Sequence, residues 1–167
     1  MGPTVVRRRA WYSSSVYAGY FDEIVAHFCG LLGDRLVGIV LYGSRARGDA
    51  REDSDVDLFL LAEDLPEDLW ERARLLHFHS AQPRQPDVAI RALTPAEYAR
   101  HLSSLDLDIA IDGRVLWDRD GHTASRLALI RQRLDEAGHY RTADLRWRWR
   151  ESPSTDDWEI DWHGVRV

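Results

Sequence analysis

The residues of this sequence whose types and spacing can do chemistry lie in one stretch, Leu41 to Leu58. Gly43-Ser44 ends an apolar run, and after ten intervening residues Asp55-Val56-Asp57 opens a second one. Successive side chains of a strand point to opposite faces, so Asp55 and Asp57 share a face while Val56 and Leu58 turn to the core. Two carboxylates held side by side stay ionised cheaply only when a cation neutralises them. Hard oxygen ligands of this kind suit Mg²⁺ or Mn²⁺, which take one or two carboxylates together with substrate phosphates. Gly43 lets the backbone approach a phosphate closely, and Ser44 offers a hydroxyl and an N–H at the start of a helix. Arg45 and Arg47 stand where they can pair with phosphate oxygens. The layout is that of a phosphate cradle facing a metal site. The plainer alternative is a polar surface loop, Arg45 to Ser54, between two ordinary strands, and the spacing of the two motifs together favours the cradle.

These groups need a sheet to carry them. Leu36 to Tyr42 is nearly continuously apolar, interrupted only by Gly38, and reads as a strand covered on both faces; Val56 to Leu61 is a second. In Val16 to Leu32 the residues Tyr17, Tyr20, Phe21, Ile24, Phe28, Leu31 and Leu32 recur at helical spacing, with Gly33 as the C-terminal cap. Asp64-Leu65-Pro66-Glu67-Asp68 is a helix start, predicting a helix to about Ser80 that buries Leu69, Ala73 and Leu76. Pro86 to Ile90 is a short strand headed by Asp87, and an acid in an otherwise apolar strand calls for a reason. Its alternative reading is a turn-capping Asp after Pro86.

Thr94-Pro95-Ala96-Glu97 is a capping box that starts a helix to about Leu102. Leu105 to Ile111 alternates like a half-exposed strand, with Asp106 and Asp108 on a solvated face. Val115 to Trp117 is a short strand or extended edge, Asp120-Gly121 a turn, and Thr123 to Ala137 a helix burying Leu127, Ile130 and Leu134. His27 and Cys29 read as packing residues, His77 and His79 are two apart and share no helix face, and His122 and His139 read as surface residues.

Arg146-Trp147-Arg148-Trp149-Arg150 alternates, so as a strand it would show guanidiniums on one face and indoles on the other. With Trp158 and Trp162 the C-terminal stretch holds four tryptophans, too much apolar area to leave in water. They fold back on the domain or form a partner surface, and folding back is the commoner use.

The whole chain bounds these readings. Its 167 residues make one domain, or one domain with an appendage. We divide it into a loose arm at 1–12, a domain at 13–139 and a Trp/Arg-rich tail at 140–167. The net charge of −6 disfavours an extended nucleic-acid track and still permits a local basic phosphate site. A lone cysteine, Cys29, fits a reducing cytoplasm, and no apolar run approaches a membrane span. A cytoplasmic protein with no membrane partner is expected.

At Gly43-Ser44 and Asp55-x-Asp57 the sequence resembles the nucleotidyltransferase superfamily whose best-known fold relative is DNA polymerase beta. The Gly-Ser, ten-residue, Asp-x-Asp form is most similar to the minimal nucleotidyltransferases, many of them antitoxin partners of HEPN-domain toxins. The motif covers about 36–61, and a third carboxylate on a later strand extends the resemblance to about 91. It implies an α/β (α+β) fold with a small mixed central sheet flanked by helices, the polymerase beta-like nucleotidyltransferase fold. It also implies a short helix ended by Gly113 where the pattern at Leu105 to Ile111 alternates, and the sequence alone leaves the two readings open.

The resemblance further implies two Mg²⁺ ions, replaceable by Mn²⁺, on Asp55, Asp57 and Asp87, with Asp87 able to act as base. Gly43 and Ser44 would grip the β- and γ-phosphates of ATP or another nucleoside triphosphate. A nucleoside monophosphate, AMP from ATP, would pass to a hydroxyl acceptor, and pyrophosphate would leave. The acceptor it favours is a tyrosine of a HEPN-type toxin, in an antitoxin role. One alternative is a small hydroxylated molecule such as an aminoglycoside, although few residues remain for the helical domain that would hold it. Another is a non-catalytic binding antitoxin, which would have no need of an intact metal site.

Overall fold

The two near-continuous apolar runs become the central strands. In the computed structural model, which describes residues 18–81, 85–100 and 102–151, β1 (Leu36–Tyr42) pairs antiparallel with β2 (Val56–Ala62). Every residue of β1 except Tyr42 is buried, and every residue of β2 except Asp57. Those two exceptions are register partners, so they mark one end of the sheet as its open mouth. β3 (Val88–Leu93) runs parallel to β2, and β4 (Arg114–Asp118) antiparallel to β1, giving a mixed sheet of order β3-β2-β1-β4.

Each face of the sheet has its own core. α1 (Ala18–Leu32) buries Tyr20, Phe21, Ile24, Phe28 and Leu32 against Ile39, Leu41, Leu58 and Leu60. On the other face α4 (Pro95–Arg100), α5 (Ser104–Asp112) and α6 (His122–Glu136) cover Val37, Val40, Phe59 and Leu61. Burying one such side chain stabilises the fold by about 1.5–3 kcal/mol, so these two layers outweigh any surface ion pair. Gly38, the one small residue in β1, lies under Thr123 of α6; a Cβ there would strike the threonine side chain. The buried Asp118 accepts from the N–H groups of Thr123 and Ala124 at 3.0 and 2.9 Å, capping α6 onto the sheet.

The central strands, the capping box at Thr94 and Glu97, and the burial of Leu127, Ile130 and Leu134 match the sequence reading, while the strand expected at Pro86 to Ile90 lies at Val88–Leu93 and leaves Asp87 before it. Three expectations need correction, and the choice left open at Leu105 to Ile111 falls to the helix. The helix placed at 64–80 is only α3 (Leu69–Leu75), started by Asp68, whose side chain accepts from the Glu71 N–H; Leu69 and Ala73 are exposed, and Arg72 is buried instead. Leu105 to Ile111 is helical, because Ser103 and Asp106 form a capping box and the Gly113 N–H returns to the Ile109 carbonyl. Asp106 is not on a solvated face: it is fully buried, satisfied by that cap and by Arg91. His139 is half-buried, stacked on Trp147 at 4.9 Å and 5°.

Trp147 and Trp149 lie in β6 (Trp147–Trp149), which pairs antiparallel with β5 (His139–Arg141). Trp147 packs onto the α4–α5–α6 core, so this part of the tryptophan-rich stretch folds back. Trp158, Trp162 and the N-terminal arm fall outside the described residues. Among the described residues no helix is long and apolar enough to cross a membrane.

Candidate functional site

The mouth between β1 and β2 is bordered by α2 (Gly43–Arg47) and the loop after it. Gly43 adopts φ +71°, a conformation that favours glycine, and it lies directly against the Asp57 carboxylate, so that a Cβ would fall on Oδ2. Ser44 occupies the first turn, and its carbonyl accepts from Gly48 and Asp49 at 2.9 and 3.1 Å, which ends the helix and turns the chain back. Arg45 braces the returning loop: its guanidinium donates to the Ser54 carbonyl, at 3.0 Å from Nε, and to the Asp55 carbonyl at 3.2 Å. The ten-residue spacing between the two motifs is thus a short helix plus a loop tied back by an arginine.

Asp55 and Asp57 are brought together as the strand alternation requires. Burial raises the Asp57 carboxyl above its ordinary value, the neighbouring Asp55 charge raises it further, and Arg47 and Arg45 act in the opposite direction. A half-buried carboxylate beside a second acid is stabilised by a cation, and two hard oxygen donors side by side suit Mg²⁺ or Mn²⁺. The burial of Tyr42 and the charge of Asp57 beside it likewise raise the Tyr42 hydroxyl.

Asp87 stands just before β3. The parallel register sets Val56 opposite Val88, so Asp87 comes level with Asp55 and on the same face; the Val56 N–H donates to the Asp87 carbonyl at 2.8 Å. The Tyr20 hydroxyl donates to the Pro86 carbonyl at 2.7 Å and fixes this strand entry to α1. The Asp87 side chain is exposed, and among the described residues no three His, Cys, Asp or Glu gather closely enough to hold a metal ion. The structure therefore joins two of the three expected acids and leaves the third beside them.

Arg47 is placed by ion pairs. Its Nε meets Asp49 at 3.1 Å and its Nη1 meets Asp112 of α5 at 3.2 Å. Asp112 is shared with Arg141 of β5, which also holds Asp108 at 2.8 Å. On β3, Arg91 takes both oxygens of Asp106 at 3.0 and 3.1 Å. Sequence reasoning missed Asp112, Arg141 and Arg91. The signal for Asp112 was its four-residue separation from Asp108, which shares a face only if the segment is a helix.

A cleft of about 670 Å³ runs along β3 between Leu69, Leu76, Phe78, Ile90, Leu93 and Leu105, and neither Asp55 nor Asp57 lines it. The carboxylate pair, and not this hollow, marks the candidate site.

A family model described as a nucleotidyltransferase domain matches residues 22–102. MJ0141 of Methanocaldococcus jannaschii, described as a candidate protein adenylyltransferase, is 32% identical over 78 residues, which are 47% of this chain and 75% of that protein. MJ1305 of the same organism, described in the same way, is 44% identical over 55 residues, 33% of this chain and 37% of that one, so the match spans well under half of that relative. Among solved structures, the complex of tri-AMPylated Shewanella oneidensis HEPN toxin with MNT antitoxin is 24% identical, with a TM-score of 0.40 over 70% of this chain and 90% of that one.

Proposed function

Because this chain belongs to the nucleotidyltransferase-domain family, we propose that it transfers a nucleoside monophosphate, AMP from ATP, to a hydroxyl of a protein acceptor. The observation that carries the proposal is the Asp55–Asp57 pair, raised above ordinary carboxylate behaviour at Asp57 and seated against the backbone of Gly43. Asp55 and Asp57 would hold the divalent ions, and the exposed side chain of Asp87 would have to turn toward them to join as a third ligand. Two such ions, Mg²⁺ or Mn²⁺, would supply charge neutralisation on the attacking and leaving oxygens. Gly43 and the first turn of α2 admit the β- and γ-phosphates, and Arg45 and Arg47 flank them with positive charge. Asp87, exposed at the strand head, can accept the proton of the attacking hydroxyl, which forms the new bond to the α-phosphorus as pyrophosphate departs. Positioning and charge neutralisation account for such a reaction.

A tyrosine of a HEPN-type toxin is the acceptor favoured by the motif form, Gly-Ser, ten residues, Asp-x-Asp, and by the description of the relatives as protein adenylyltransferases. The setting is cytoplasmic, in keeping with ATP as donor and a single half-buried cysteine.

The test is incubation with Mg²⁺, α-labelled ATP and a lysate of the host, comparing wild type with Asp57→Asn. Label on one protein band, with wild type only, is expected. Label confined to small molecules would move the acceptor to that class, and no label with any nucleotide would overturn the proposal.

A further inference from the structure

Asp112 takes no part in the carboxylate pair, yet the phosphate-side helix is held through it. Its Oδ2 accepts from Arg47 Nη1 at 3.2 Å, and its Oδ1 accepts from Arg141 Nη2. The side chains of Asp112 and Arg141 are 9% and 8% exposed, against 25% for Arg47. A pair on the open surface would count for little, but this largely buried carboxylate is shared by a buried and a partly buried guanidinium, and its loss would leave both short of a partner. The second carboxylate partner of Arg47, Asp49, is 60% exposed and belongs to the same turn, so Asp112 is what fixes the guanidinium to another element.

The anions within reach of Arg47 decide where it would go without Asp112. Arg47 is near enough to Asp57 to act on it through space. Freed from Asp112, the Arg47 guanidinium is drawn to the Asp55–Asp57 pair, where it competes with a divalent ion for the same oxygens. We infer that Asp112 is a positioning residue: held in turn by Arg141, it keeps Arg47 off the Asp55–Asp57 pair and available to phosphate. This inference rests on the nucleotidyl-transfer reading. Because Arg141 also holds Asp108 one helical turn away, the bridge runs from α2 through α5 to the β5–β6 hairpin, and the hairpin becomes part of the support of the site.

The test uses the full chain and calorimetric binding of AMP-PNP with Mg²⁺, at a temperature where circular dichroism shows every variant folded. Wild type, Asp112→Asn, Arg47→Ala and the double variant form a cycle. Asp112→Asn is expected to weaken binding roughly tenfold, within the range for residues of one ion-pair network. The double variant is expected to bind no more weakly than Arg47→Ala, since no guanidinium remains to be misplaced, and Asp112→Glu is expected to recover most of the affinity. A merely structural role would lower the melting temperature without this non-additivity. Wild-type affinity in Asp112→Asn, or losses that add, would overturn the inference. If Asp112→Asn does not fold, Arg141→Gln takes its place in the same cycle. Failure of the wild-type protein to bind the nucleotide would instead overturn the transfer reading, and the inference with it.

Discussion

The backbone of Gly43 passes so close to the carboxylate of Asp57 that no side chain fits between them. One residue thus links the phosphate-side turn to the acid pair, and its left-handed φ of +71° holds the turn in place. The two motifs that are ten residues apart in sequence are in contact in the fold.

Gly43→Ala is expected to displace Asp57 and to lose nucleotidyl transfer almost completely. The left-handed conformation costs a residue with a Cβ about 1–2 kcal/mol, so the protein still folds. Denaturant unfolding and label transfer measured on the same preparation check this, and full activity would contradict it.

The raised Asp57 carboxyl predicts a pH-dependent effect of removing it. A group with a folded pKa above its unfolded value of 3.8 binds more protons folded than unfolded between the two. Its ionisation therefore subtracts stability as pH rises past 3.8, and the loss persists at neutral pH. Asp57→Asn is expected to be more stable than wild type at neutral pH, with the gain vanishing below 3.8. Mg²⁺ in millimolar amount should raise the unfolding midpoint of wild type and leave that of Asp57→Asn unmoved. An equal response in both would count against the metal pair.

Much of this site was legible because its signals are local. Strand alternation placed Asp55 and Asp57 on one face, and the apolar runs fixed β1 and β2. Other features depend on tertiary contacts that no local pattern encodes. Leu105 to Ile111 alternates like a strand, but the Ser103–Asp106 cap and the Arg91 partner of Asp106 make it a helix. Arg72 looks like a surface residue of an amphipathic helix, yet it is buried and donates to the Pro66 and Ala92 carbonyls and to Glu97, partners that lie outside the helix. Asp112 was missed for the same reason: its four-residue spacing from Asp108 gains meaning only once the segment is a helix, and its partners Arg47 and Arg141 are distant in sequence.

Asp106→Ala is expected to cost about 3–5 kcal/mol, the range for removing one partner of a buried ion pair, because it orphans Arg91 and opens the α5 cap. Asp108→Ala, at a partly exposed side chain, should cost well under half of that. Urea midpoints of the two variants settle the comparison, and equal losses would be a contradiction.

Glu97 is held down at about 2, chiefly by its hydrogen bond from Arg72. A depressed carboxylate contributes stability above its unfolded value of 4.5 and loses it as pH falls toward about 2. Glu97→Gln should therefore be destabilised at neutral pH by roughly 1 kcal/mol, discounted for its partial exposure, and should match wild type in strong acid. A difference that stays constant across that range would show that the pair does not titrate with folding.

In the proposed reaction the Asp55–Asp57 pair directs attack at the α-phosphorus of a nucleotide. The most direct measurement is a paired reaction with α-labelled and γ-labelled ATP, Mg²⁺ and the acceptor found in the host lysate, run with wild type and Asp57→Asn. Label is predicted on the acceptor from the α-position only and in released pyrophosphate from the γ-position, with neither seen for Asp57→Asn. Acceptor labelled from the γ-position, or α-label transferred normally by Asp57→Asn, would contradict that role.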